Sequence, residues 1–129
     1  MKRSIFYFDD DLECLQVFQA TLGARHDVRT ASALNDARRL LSERAAEIIL
    51  SDQVMPEITG SEFLAEVART QPSSYRVLLT GSASVGEVLR EVGAGFIHHF
   101  IPKPWSEQDI EGMLERAALY FQRGRDSEM

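Results

Sequence analysis

The chain has 129 residues, 44% of them hydrophobic, with one cysteine and a net charge of -6. That suits a single domain with a real core and excludes an internal disulfide, and the lone cysteine fits a reducing, cytoplasmic setting. An acidic chain with no basic stripe is a poor nucleic-acid binder by itself, and no apolar run is long enough to span a membrane.

The start, MKRSIFYF, is basic but reaches Asp9 too soon for a signal peptide. Its apolar part, 4–8, predicts the first strand, and Asp9-Asp10-Asp11 follows it. Leu12, Leu15, Phe18 or Gln19, and Leu22 predict the first helix, in which Cys14 reads as packing. Residues 27–31 (DVRTA) predict the second strand. Ala33, Ala37, Leu40 and Leu41 predict the second helix, with Arg38, Arg39 and Arg44 as a solvated face.

The third strand, 47–51 (EIILS), runs into Asp52. A helix marked by Phe63, Leu64 and Val67 comes next, after a Thr59-x-x-Glu62 capping box. Residues 76–80 (RVLLT) predict the fourth strand, and Ser84-x-x-Glu87 caps a fourth helix carrying Val85, Val88, Leu89 and Val92. Residues 96–101 (FIHHFI) predict the fifth strand. Ser106-x-x-Asp109 is a weaker capping box for a fifth helix with Ile110, Met113, Leu114, Ala117 and Tyr120 or Phe121. The domain is expected over 1–123, with 124–129 as a polar tail.

Five alternations of strand and helix predict an α/β fold, a doubly wound parallel sheet with helices on both faces. The runs at 47–51 and 76–80 are nearly continuous in apolar residues, as strands covered on both sides should be. Such a sheet collects the carboxyl ends of its strands along one edge, where ligands bind. Asp9-Asp10-Asp11, Asp52, Thr80-Gly81-Ser82 and Lys103-Pro104 would converge there.

Carboxylates clustered in this way repel, by about 4 kcal/mol for a pair ~4 Å apart at an effective dielectric near 20. Oxygen donors without His or Cys suit a hard cation, Mg2+ above all. One Mg2+ and Lys103 would balance Asp9, Asp10 and Asp52. A carboxylate can be a nucleophile toward phosphorus, and phosphoryl transfer needs mainly positioning and charge neutralisation. Thr80 would offer a hydroxyl to the phosphoryl group, and Gly81 would leave it room. His98 and His99, adjacent in a strand, would point to opposite faces and cannot share one ion.

The motifs FDDD at 8–11, D-x-x-M-P-x-x-x-G at 52–60, LLTG at 78–81 and KPW at 103–105 together resemble the receiver domain of two-component response regulators (CheY-like). The resemblance runs over about residues 3 to 122. It implies a flavodoxin-like five-stranded sheet in the order 2-1-3-4-5. It implies Asp52 as phosphoacceptor, Asp10 as direct Mg2+ ligand with Asp9 assisting through water, and the Val54 backbone carbonyl as a further ligand. It also implies Thr80 as switch hydroxyl, Phe100 as switch aromatic, Lys103 as the phosphate-contacting lysine, and a cis bond at Lys103-Pro104.

Implied partners are a sensor histidine kinase or histidine phosphotransfer protein, and an output domain or downstream partner reached through the helix 4–strand 5–helix 5 face. A phosphorylation-linked dimer is a further implied partner; a membrane and direct nucleic-acid binding by this domain are not. The domain would be a signalling switch and not an enzyme. Departures from the family pattern are Asp11, where glutamate is common, the Ile101-Pro102 pair, and Phe100, which lacks the hydroxyl of a tyrosine.

A haloacid-dehalogenase-type phosphatase would also use a strand-1 aspartate. It would leave the 52–60 motif unexplained, Glu13 stands where it wants Thr or Val, and no later acidic motif follows Lys103. A receiver that has lost phosphorylation would not need the acids, Thr80 and Lys103 all together.

Overall fold

The computed structural model describes residues 2–81 and 95–127. β1 (Ser4–Phe8), β2 (Asp27–Ala31), β3 (Ile48–Asp52), β4 (Tyr75–Thr80) and β5 (His99–Pro102) form one parallel sheet in the order β2-β1-β3-β4-β5. The described helices are α1 (Leu12–Leu22), α2 (Leu34–Glu43), α3 (Gly60–Thr70) and α4 (Glu107–Ser127). Thus α4 is the fifth helix predicted above. The fourth, with Val85, Val88, Leu89, Val92 and the Ser84-x-x-Glu87 box, lies outside the described residues. The doubly wound fold and its strand order are as expected.

Alternation along the strands builds two cores. Ile5, Tyr7, Ile48, Leu50, Val77, Leu79 and Ile101 pack with Leu15, Phe18 and Leu22 of α1 and Ile110, Met113 and Ala117 of α4. Phe6, Phe8, Ile49 and Leu78 face the other way, onto Ala37 and Leu41 of α2 and Phe63, Leu64 and Val67 of α3. Each side chain fully withdrawn from water contributes about 1.5–3 kcal/mol. This stability lets charged groups be held at the rim of the same sheet.

Among the described residues the two predicted capping boxes form, and Asp11 adds a third cap. Asp11 Oδ1 accepts from the amides of Glu13 (3.0 Å) and Cys14 (3.4 Å) at the start of α1. Thr59 and Glu62 make the reciprocal capping box of α3. Ser106 and Asp109 do the same for α4, at 2.7 and 3.1 Å. Such a cap contributes about 1 kcal/mol and, more usefully here, fixes where each helix begins.

Two boundaries differ from the sequence reading by more than one residue; β3 and β4 are each offset by one. β5 starts at His99, not 96, and includes Pro102. The carbonyls of Phe96 and Gly95, which a longer strand would need, instead accept from Arg76 Nε (2.7 Å) and Nη2 (3.5 Å), and Gly95 has φ +80°. The helix expected to stop near residue 123 continues as α4 through Ser127, since polar residues are compatible with helix and no proline interrupts them. No helix among the described residues is long and apolar enough to cross a membrane.

Candidate functional site: an acid pocket bridged by lysine

The same alternation that builds the cores sets the site. Asp9 lies two residues beyond Tyr7, Asp52 two beyond Leu50 and Lys103 two beyond Ile101, all on the α1/α4 side of the sheet. Parallel pairing of β1 with β3 and β3 with β4 brings these ends level. Carboxylate oxygens of Asp9, Asp10 and Asp52 lie within 4.8 Å of one another. Asp9 is 0% and Asp52 8% exposed, whereas Asp10 is open to solvent.

Lys103 Nζ bridges the two buried acids, donating to Asp9 Oδ2 at 3.0 Å and Asp52 Oδ1 at 3.1 Å. Burial alone pushes the ammonium toward neutrality, but the hydrogen bonds and charges of Asp9 and Asp52 outweigh it and hold the lysine pKa above its ordinary value. The Asp52 pKa is raised as well, which there favours the neutral form. Burial, then the charge of Asp9, raise its pKa, and Lys103 only partly opposes them.

Three carboxylates thus face one ammonium, leaving two negative charges uncompensated. The donors are all hard oxygen, and one carboxylate is open to water, so the set fits a divalent cation such as Mg2+.

The loop after Asp52 is held by contacts that sequence reasoning missed. Gln53 is buried, donates from Nε2 to Ser61 Oγ (3.2 Å) and accepts from the Ser61 amide (2.8 Å). Its own carbonyl accepts from the Gly60 amide at 3.0 Å. A β-carbon at Gly60 would sit 2.2 Å from the Asp52 carbonyl oxygen and 2.6 Å from Leu78 Cδ1, so only glycine lets α3 begin this close to the nucleophile candidate. Val54, in the same loop, is exposed.

Thr80 and Phe100 fall on the other side of the sheet. Thr80 follows Leu78 by two residues, and its hydroxyl donates to the Gly81 carbonyl at 2.8 Å. Phe100 is partly buried against the Phe6–Phe63 core, not turned fully outward. Among the described residues, a β-carbon at Gly81 would meet no atom within 4 Å. The Lys103-Pro104 bond is cis, as the resemblance implied.

Tyr7 is the other participant unseen in the sequence reading. Its phenol donates to Asp9 Oδ2 at 2.5 Å, while the Asp11 amide donates to Asp9 Oδ1 at 2.9 Å. Burial, then the hydrogen bond to Asp9, raise the phenol pKa far above its ordinary value, so it stays a donor. The i, i+2 spacing of Tyr7 and Asp9 was the available signal. His98 and His99 do not straddle the sheet as expected, because His98 precedes β5: His98 stacks on Tyr75 with ring centroids 5.4 Å apart, and His99 Nδ1 lies 3.2 Å from the hydroxyl of the same Tyr75, so both are packing residues.

Residues 5–115 match the sequence profile of the response regulator receiver domain. The chain belongs to that family. Receiver domains are signalling switches of two-component systems and not classical enzymes. The hydrogenase transcriptional regulatory protein HoxA of Cupriavidus necator is 32% identical over 114 residues, 88% of this chain and 24% of that protein. The transcriptional regulatory protein GlrR of Escherichia coli is 27% identical over 115 residues, 85% of this chain and 26% of that protein. The chain therefore spans about a quarter of the length of these relatives. Among solved structures, the signal receiver domain of an HD domain-containing protein from Pseudomonas fluorescens Pf-5 superimposes with a TM-score of 0.85 at 26% identity, covering 93% of this chain and 97% of that one.

Proposed function

We propose that this receiver domain takes a phosphoryl group onto Asp52 from a sensor histidine kinase or a histidine phosphotransfer protein, and that the modified domain then controls an output. The observation that carries this reading is the Lys103 bridge between Asp9 and Asp52 beside the open carboxylate of Asp10. It joins a nucleophile held by a rigid central strand, a cation for the incoming oxygens, and the charge deficit of one divalent ion.

A carboxylate oxygen of Asp52 attacks phosphorus in line; the phosphorus–nitrogen bond of the donor phosphohistidine breaks and its electron pair leaves with the imidazole. Asp10 and Asp52 would hold Mg2+, with the Val54 carbonyl as a further ligand and Asp9 assisting through water. When bound, the ion would neutralise charge on the carboxylates and on the incoming phosphoryl group. Lys103 turns from Asp9 and Asp52 to a phosphoryl oxygen as a compact point charge.

Thr80 gives up its bond to the Gly81 carbonyl and donates to another phosphoryl oxygen, and Phe100 closes into the space that the hydroxyl leaves. The face of the fourth predicted helix, β5 and α4 is thereby altered. Moving such a switch from 1:99 to 99:1 takes about 5.5 kcal/mol, which a few charge-assisted hydrogen bonds of about 1.5–3 kcal/mol each supply. Transcriptional control through a joined output domain is the output that HoxA and GlrR, both transcriptional regulatory proteins, support; a phosphorylation-linked dimer would be its active form. The domain works in the cytoplasm.

The test is incubation with a small-molecule phosphodonor and Mg2+, with the label mapped by mass spectrometry. Wild type is expected to carry one phosphoryl group on Asp52 and Asp52→Asn none. Undiminished labelling of Asp52→Asn overturns the proposal.

A further inference from the structure

Core positions of β1 facing the helices are otherwise plain hydrocarbon: Ile5, Phe6 and Phe8. Among the buried residues of β1, Tyr7 alone carries a hydroxyl. It is 0% exposed, and its ring packs against Phe18 with centroids 4.7 Å apart. Phenylalanine would keep that packing, and burying a hydroxyl is costly unless it is hydrogen-bonded. The partner is Asp9 Oδ2 (2.5 Å), the oxygen that also receives Lys103 Nζ (3.0 Å). With the Asp11 amide on Oδ1, three of the roughly four lone-pair positions of Asp9 are taken. Asp9 has no exposed area, so bulk water does not replace a donor that is withdrawn.

We propose that Tyr7 is a positioning residue of the acid pocket: its hydroxyl satisfies Asp9 with a neutral donor, so that the pocket holds Mg2+ more loosely than its carboxylates alone would, and Lys103 leaves Asp9 without stranding a buried charge. The inference rests on the reading of the pocket as an Mg2+-assisted phosphoacceptor site. Two cations compete for Asp9 there, and both have to move during a phosphorylation cycle. A neutral donor weakens the hold of Asp9 on each of them. Removing the hydroxyl leaves a buried carboxylate one donor short, and a cation becomes its replacement.

The experiment is calorimetric titration with MgCl2 of wild type, Tyr7→Phe, Asp9→Asn, the double variant and Asp10→Ala. Tyr7→Phe is expected to bind Mg2+ about fivefold more tightly, about 1 kcal/mol. Asp9→Asn and the double variant are expected to match each other, because the effect passes through Asp9. A second readout is the urea midpoint. The gap between wild type and Tyr7→Phe should be wider in EDTA than in saturating Mg2+, whereas a packing role alone would leave it unchanged. Unchanged or weaker affinity in Tyr7→Phe, or a gain that persists without Asp9, overturns the inference and leaves the proposed function standing. A wild type that takes up no Mg2+, or an Asp10→Ala that binds it normally, defeats the reading of the pocket itself and the inference with it.

Discussion

Lys103 and Arg76 are both cations drawn out of water, one at each rim of the sheet, and their partners differ in kind. The Lys103 side chain is 24% exposed and sits between two carboxylates. Arg76 is 4% exposed, and its described hydrogen bonds go to neutral groups: the carbonyls of Phe96 (2.7 Å), Ser74 (3.1 Å) and Gln71 (3.3 Å), and the Ser74 hydroxyl (3.0 Å). Burial lowers the Arg76 pKa, and the acids raise that of Lys103. Carbonyl dipoles neither titrate nor accept phosphoryl groups. On the proposed function, the contrast separates a cation that fixes the chain path from one whose surroundings would change with metal, proton and phosphate.

The largest effect expected from this contrast is at Arg76. Arg76→Met leaves several buried carbonyls without a donor and is expected to cost about 3 kcal/mol. The loss, read from urea unfolding, should be the same in EDTA and in Mg2+. Dependence on Mg2+ would break the comparison.

Lys103→Met should cost less in EDTA, about 2 kcal/mol, because Asp9 and Asp52 lose a partly screened partner. That cost should shrink in saturating Mg2+, which supplies the missing positive charge. An equal cost in both conditions would make Lys103 a second Arg76.

The smallest effect is the pH dependence of Asp52, which sharpens the comparison. Its folded pKa is raised by burial and by Asp9. The folded state therefore keeps this proton longer than the unfolded chain does, so stability attached to Asp52 is full below the unfolded value and is lost as pH rises through the folded value. In EDTA, Asp52→Asn should gain on wild type as pH rises through that window, and the gain should vanish in more acidic solution. A difference that is flat with pH, followed by thermal unfolding, would show Asp52 to be compensated as fully as Arg76.

Much of this was legible before any coordinates. Strand ends at Asp9, Asp52, Thr80 and Lys103 follow from apolar runs that stop on polar residues, and the parallel topology alone brings them to one edge. What escaped was lateral contact. Tyr7 read as one more aromatic in FYF, since a strand pattern does not say which hydroxyl finds which acid. Gln53 filled a variable place in the 52–60 motif, and only its two bonds to Ser61 reveal the latch. Arg76 was absorbed into the apolar run RVLLT, and its reach to Phe96 is also why the fifth strand came out three residues too long at its start.

Gly60 gives the pocket one stiff wall. With the helix start packed on the Asp52 carbonyl and Gln53 latched to Ser61, the Asp52 backbone has no slack toward α3. If Asp52 is phosphorylated as proposed, the recoil of bond formation would be taken up on the other side, by Thr80 and Lys103. Compliance is therefore unequal around the site, and that inequality gives a charge arriving there a direction in which to push.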